Sequence, residues 1–221
     1  MTTATPPPMA LDRAALERDA IRTAEELEIV VGTPKATSLD KVTRVLTPLM
    51  RAFVDHAPFY LLATANADGA CDVSPRGDPA GAIRVLDERT LVLPDRAGNR
   101  RIDSIRNIVH NPHVGLLVLV PGMDETLRIN GRAFVTRNAH LLATMPMQGK
   151  TPALAIVVDI DEAYMHCARA FRRSQLWEPA TWPAAGEVPG MAEILYAQFC
   201  PEERLAAFAR EREERYRTSL Y

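Results

Sequence analysis

The heptapeptide Gly98-Asn99-Arg100-Arg101-Ile102-Asp103-Ser104 sets two adjacent guanidinium groups, an amide and a hydroxyl at the head of an amphipathic run. Those residue types in that order suit the phosphate monoester of one planar ligand. A helix start offers unpaired backbone N–H groups and the positive end of the peptide dipole, and paired arginines add fixed charge and fork-shaped donors. A monoester carries more than one negative charge at neutral pH, and charge-assisted bonds from arginine are about twice as strong as neutral ones.

Other reactive residues read more plainly. His110 and His113 flank Asn111-Pro112; with proline bending the chain between them and no third ligand at a sensible spacing, they predict a helix end and a strand start, and no metal site is expected. Cys167 beside His166 is no nucleophile pair, because adjacent helix residues point about 100° apart; burial of Cys167 is expected instead. The cluster Arg169, Arg172 and Arg173 either complements a helix C-terminus or binds an anionic substrate.

The elements that must position these groups follow from periodicity. Apolar residues from Met9 to Val30 recur at helical spacing, and Gly32 with Pro34 supplies a stop. A second helical stretch is predicted from Ser38 through Leu46, and Thr47-Pro48 reads as a cap opening a helix over Leu49 to His56. The period then changes. Phe59 to Ala65 and Ala70 to Ser74 form one predicted hairpin, and Ile83 to Leu86 with Thr90 to Leu93 another. A helix over about 99 to 109 ends at Asn111-Pro112, Val114 to Val120 is a buried strand, and Thr126 to Val135 alternates, with Gly131 marking a bulge or a close backbone approach. Ala153 to Ile160 is the last strand; Asp161 is expected to cap a helix running through Arg172, and Pro201 to Tyr216 a closing one. The fold class expected is α+β, mainly β: a six-stranded antiparallel split β-barrel, closed, with flanking helices.

Composition bounds the rest. With 221 residues, 47% hydrophobic, the chain can build a real core, and a formal charge of −2 argues against a nucleic-acid binder, which needs net positive charge. Nearly all the cations are arginine, so position weighs more than number. Three scattered cysteines without CxxC spacing suit a reducing cytoplasm, and no signal peptide or membrane span is legible. Residues 1–8 are expected to be disordered and 9–221 to form a single domain with helical extensions.

Asn99-Arg100-Arg101-(x)3-Ile105 followed by Asn111-Pro112-His113-Val114-Gly115-Leu116-Leu117 resembles the flavin-phosphate segment of the pyridoxamine 5'-phosphate oxidase-like split-barrel family. Asp72-Val73-Ser74-Pro75-Arg76-Gly77-Asp78, Thr126 to Arg132 and Arg172-Arg173-Ser174-Gln175-Leu176-Trp177 look like a bacterial subgroup of FMN-dependent proteins. The resemblance implies that Arg100 and Arg101 grip the FMN phosphate, with Asn99 and Ser104 adding hydrogen bonds. It implies that Ser74, Arg76, Gly77 and Asp78 run along the flavin and ribityl chain and that Pro94 and Asp95 lie beside the ring's edge. It implies as well that Thr126 faces the flavin and that Trp177 contacts or covers the ring, and it makes Arg172 and Arg173 candidates for substrate binding.

It further implies a homodimer with flavin at its interface, FMN as cofactor, a small-molecule substrate and a reduced nicotinamide as candidate electron donor. The function so implied is that of an FMN-dependent oxidoreductase with no nucleic-acid or membrane partner; the alternative is a non-catalytic flavin-binding protein for storage, delivery or sensing. A deazaflavin would bring a phosphate to the same groove. The substrate element Arg-x-His of pyridoxamine phosphate oxidation has no counterpart in Arg210-Glu211-Arg212 or Arg215-Tyr216-Arg217, and the C-terminal histidine of a haem-processing branch has none after His166.

Overall fold

The computed structural model describes residues 12–98, 101–199 and 205–218. The chain divides into two units, 1–40 and 41–221. In the first, two short helices, α1 (Arg13–Arg18) and α2 (Ala24–Val31), replace the single one expected from Met9 to Val30, and a third, α3 (Ala36–Leu39), lies where the second helical stretch was expected to begin. The break before α2 comes from a start signal inside the apolar run. Thr23 Oγ1 accepts from Glu26 N at 3.2 Å, and the Glu26 carboxylate accepts from Arg22 N at 2.8 Å, so the chain caps a new helix there.

The second unit opens with an extended segment where helix was expected as far as Leu46. Thr43 exchanges two backbone bonds with Ala163, and Leu46 N donates to Glu88 O at 2.7 Å. Sheet bonding outweighs the helical spacing because Leu46 gains burial in the core. The Thr47 cap and Pro48 start then hold as expected: Thr47 Oγ1 accepts from Met50 N and opens α4 (Pro48–Asp55).

Seven antiparallel strands follow: β1 (Phe59–Ala65), β2 (Cys71–Gly77), β3 (Arg84–Asp87), β4 (Thr90–Asp95), β5 (His113–Leu119), β6 (Thr126–Thr136) and β7 (Leu154–His166), with α5 (Asp103–His110) between β4 and β5 and α6 (Ala139–Ala143) between β6 and β7. The sheet order is β2-β1-β5-β6-β7-β4-β3. This corrects the six-stranded closed barrel: the strand count is seven, with the short β3 of the second predicted hairpin included, and the backbone ladder stays open. Pro75 within β2 cannot donate to a ladder, which suits an edge strand. Side chains instead link β2, at one end of the order, to β4, next to the other end. Arg76 of β2 pairs with Asp95 of β4 at 2.6 Å, and Asp78, just past β2, with Arg96, just past β4, at 2.7 Å.

The helix expected from Asp161 is also absent. β7 continues to His166 because the first half of β6 pairs with it, Thr126 opposite His166; only α7 (Arg169–Ser174) remains of that helix. The long β6–β7 pair bends at a register shift between Asn130 and Gly131, the bulge read from Gly131. One core fills the curl of the sheet, with Leu62, Leu91, Leu93, Leu116, Val118, Leu127, Ile129 and Ile160 fully enclosed and Ile105 and Ile108 of α5 packed onto it. On the other face, Leu142 of α6 and Met145 cover Val92, Ala155 and Val157. The chain continues with α8 (Met191–Phe199) and α9 (Leu205–Thr218). Among the described residues no helix is long and apolar enough to cross a membrane.

Candidate functional site

β2 alternates, and its half-buried face carries Asp72, Ser74 and Arg76, with Asp78 next in the row. From Asp72 to Asp78 the row extends for about 20 Å, at roughly 3.3 Å per residue. At one end it meets the first turn of α5. Ser74 Oγ lies 2.9 Å from Ser104 Oγ, and both hydroxyls donate to Asp72 Oδ2, at 3.3 and 3.1 Å. Ser104 is buried. Asn107, one helical turn further, donates to Thr64 Oγ1 of β1 at 3.0 Å, and Ile105 and Ile108 anchor the apolar side of the helix in the core.

The start of α5 is unusual. Its N-cap is Ile102, in the left-handed region at φ 53° and ψ 22° and with no side-chain cap bond; α1, α2, α4 and α6 each begin with a capping Asp, Thr or Asn, and α3 and α7, which also lack a side-chain cap, start from ordinary extended or right-handed backbone. A β-branched residue in the left-handed region costs on the order of 1–3 kcal/mol, and strain of this kind concentrates at ligand sites. The first-turn N–H groups receive no N-cap side chain, so an anion could take that place. Arg101 stands beside this start, largely exposed, with Nε 2.7 Å from Asp103 Oδ2. The hydrogen bond and charge of Asp103 push the guanidinium pKa up, so it stays cationic.

At the other end of the row are the two crossed ion pairs. The side chains of Arg76 and Asp95 are about one-fifth exposed, those of Arg96 and Asp78 14% and 9%. Beneath them lies Tyr60, whose phenol pKa is raised first by burial, lowered by Arg76, raised by Asp78 and Asp95, and lowered by Arg96; it is a neutral donor at any physiological pH. Asp78 Oδ1 is buried without a hydrogen-bond partner.

The sequence profile of the pyridoxamine 5'-phosphate oxidase family matches residues 46–167, more than half of the chain and the whole of the sheet just described. The chain belongs to the pyridoxamine 5'-phosphate oxidase-like family of FMN-binding split barrels. No curated protein matches it. Similar solved structures include HupZ from Group A Streptococcus (14% identity, 53% of this chain and 90% of the other, TM-score 0.44). An FMN-binding protein from Syntrophomonas wolfei subsp. wolfei is also similar (12%, 70% and 96%, 0.41), as is the heme storage protein HutZ from Vibrio cholerae (16%, 55% and 93%, 0.38). Identities and scores this low transfer no ligand.

Within this family frame the structure brings Asp95 of β4 and Ser104 of α5 against the β2 row of Ser74, Arg76 and Asp78, with Arg101 at the α5 end. Gly77 closes β2 opposite Phe59, and Pro94, opposite Ala155, lies beyond Val92, the last residue of β4 that β3 pairs, so its missing N–H breaks no bond there. Asn99 and Arg100 lie outside the described residues. A second group sits elsewhere. Thr126 is buried at the start of β6, and Trp177 donates from Nε1 to Met123 O at 2.8 Å while stacking on Phe171. Arg172 pairs with Asp124 at 2.9 Å, and Arg173 is exposed. These contacts fasten α7 and the segment after it to the β5–β6 turn, away from the α5 start.

Sequence reasoning missed two participants. Asp72 lay inside the quoted β2 motif without a role, although the period-two series from Asp72 to Asp78 could have shown it. Arg96 left no periodic signal, since its partner is 18 residues away on another strand. Cys167, expected to be buried, is exposed; the Arg169 backbone N–H first, then the Arg169 and Lys41 charges, lower its thiol pKa against an opposing desolvation. Among the described residues no three His, Cys, Asp or Glu side chains group as metal ligands.

Proposed function

We propose that the protein is an FMN-dependent oxidoreductase acting on a small molecule, with the cofactor lying along the β2 row. The observation that carries the reading is the strained, side-chain-uncapped start of α5, set beside Arg101 and the Ser74–Ser104 hydroxyl pair at one end of a polar row about 20 Å long. The residues fit the group. Hydroxyls, first-turn N–H groups and a guanidinium suit its phosphate, the alternating polar groups of β2 suit the ribityl hydroxyls, and the ion-paired far end suits a polar ring edge. Asp72 fits as an acceptor for a ligand hydroxyl and holds the serine hydroxyls in place.

FMN supplies two-electron chemistry when bound; the chain binds and orients it. Arg76 and Asp95 fix the two walls against each other, Arg101 and the α5 start fix the phosphate, and Tyr60 closes the floor without carrying charge. Arg100 is assigned to the phosphate with Arg101, and Asn99 to its edge. A second copy of the chain completes the site: Phe59, Leu61, Val73 and Leu117 leave an apolar strip on the outer face of β2, β1 and β5, and Thr126, Trp177, Arg172 and Arg173 are assigned to the partner's flavin or its substrate. A reduced nicotinamide is the proposed electron donor.

Titration of FMN into flavin-free protein, followed by fluorescence quenching, tests the reading. Arg100→Ala should weaken binding by about 1.5–3 kcal/mol, the value of a hydrogen bond to a charged group, and Ser104→Ala by less. Unchanged affinity in both variants would place the phosphate elsewhere. Bleaching of the bound chromophore by reduced nicotinamide, with recovery on adding an acceptor, separates an enzyme from a flavin carrier, and light scattering should return twice the mass of one chain.

A further inference from the structure

A cleft of about 190 Å³, open to solvent on one side, lies beside Arg96. Its walls are the turn 79–82, Arg84 and Arg96, and Met145, Pro146 and Met147. They are held firmly. Arg84 donates to Thr144 O at 3.1 Å and Arg96 to Met145 O at 2.8 Å, so two guanidinium groups grip consecutive carbonyls after α6. Met145 is buried against the sheet, and Met147 and Lys150 exchange two backbone bonds across a turn in which Gln148 and Gly149 both have positive φ.

The charges of this cleft do not balance. Arg96 is matched by Asp78, but among the described residues Arg84 makes no ion pair, and its hydrogen-bond partner is a neutral carbonyl. The remaining wall is apolar or polarizable, with proline, alanine and methionine, surfaces that accept a flat or branched hydrocarbon body.

We infer that this cleft binds a small organic acid with an apolar body, its carboxylate on Arg84 and its hydrocarbon part against Met145, Pro146 and Met147. The inference does not rest on the flavin reading, since no group at the α5 start takes part. Arginine is the appropriate cation because its planar donors can meet both oxygens of a carboxylate.

Benzoate is the probe, added to flavin-free protein carrying 13C-methyl methionine. The methyl resonances of Met145 and Met147, assigned by Met→Leu variants, should move in a saturable way at millimolar benzoate, and benzyl alcohol, which lacks the charge, should leave them in place. Arg84→Gln should weaken binding about tenfold, the loss of one charge-assisted contact, while Arg84→Lys retains part of it. Arg84 is exposed, so its variants keep the fold. Absence of a saturable shift, or equal affinity in wild type and Arg84→Gln, would overturn the inference whether or not FMN binds at the α5 start.

Discussion

Removing the Arg76–Asp95 pair should loosen the join between β2 and β4, and the size of the effect follows from its surroundings. The two groups are 2.6 Å apart and each about four-fifths buried. An exposed pair contributes about 0.2–1 kcal/mol, and a hydrogen bond to a charged group about 1.5–3; partial shielding places the coupling near the boundary, at about 1.5 kcal/mol. Arg76→Met leaves the Asp95 carboxylate partly desolvated and unpaired, so this variant should lose more than the coupling alone, about 2–3 kcal/mol. Arg76→Met, Asp95→Asn and the double variant, unfolded in urea and followed by circular dichroism, form a double-mutant cycle. The double variant should be about 1.5 kcal/mol more stable than the sum of the single losses predicts, with the urea slope unchanged. Arg13 and Glu17, whose side chains are 90% and 61% exposed, should give a coupling near zero in the same assay. A coupling below about 0.5 kcal/mol for Arg76 and Asp95 would show that the pair does not hold β2 and β4 together.

Two further outcomes are expected. In Gly131→Ala the new Cβ would overlap the Asp159 carbonyl oxygen and lie 3.1 Å from its carbon and 3.3 Å from Ile160 Cα. All three are backbone atoms, so the loss should be about 3 kcal/mol, read calorimetrically as a fall in Tm of about 6–12 °C; a fall of under a degree or two would contradict the close approach at the bulge. Cys167 should alkylate with iodoacetamide along a pH profile whose midpoint lies below that of an ordinary thiol, because the Arg169 N–H and the Arg169 and Lys41 charges favour the thiolate. Removing one of those charges, as in Lys41→Met, should move the midpoint up, and a profile identical to that of free cysteine would refute the assignment.

Much of the fold was legible because local signals agreed with tertiary demand. Thr47-Pro48 capped its helix, the two hairpins fell where turn residues interrupted apolar runs, and Gly131 marked the bulge. Two of the failures share a cause. The helices expected at Ser38–Leu46 and Asp161–Arg172 both lie on segments that the sheet recruits: Thr43 bridges to Ala163, and β6 pairs with β7 as far as His166. Helical spacing is a local property, whereas a strand partner 120 residues away is not, and burial of Leu46 and Ala163 decided the outcome.

What the residue order settled was chemistry and periodicity: the paired arginines before Ser104, the alternating polar face from Asp72 to Asp78, and the strands able to carry them. What only three-dimensional packing settled was which of these groups meet. No local pattern connects Arg76 to Asp95, Asp78 to Arg96 or Ser74 to Ser104, because each contact spans 18 to 30 residues and depends on how far the open sheet curls. That curl is set by strand twist and by the filling of one apolar core, properties of the whole set of strands.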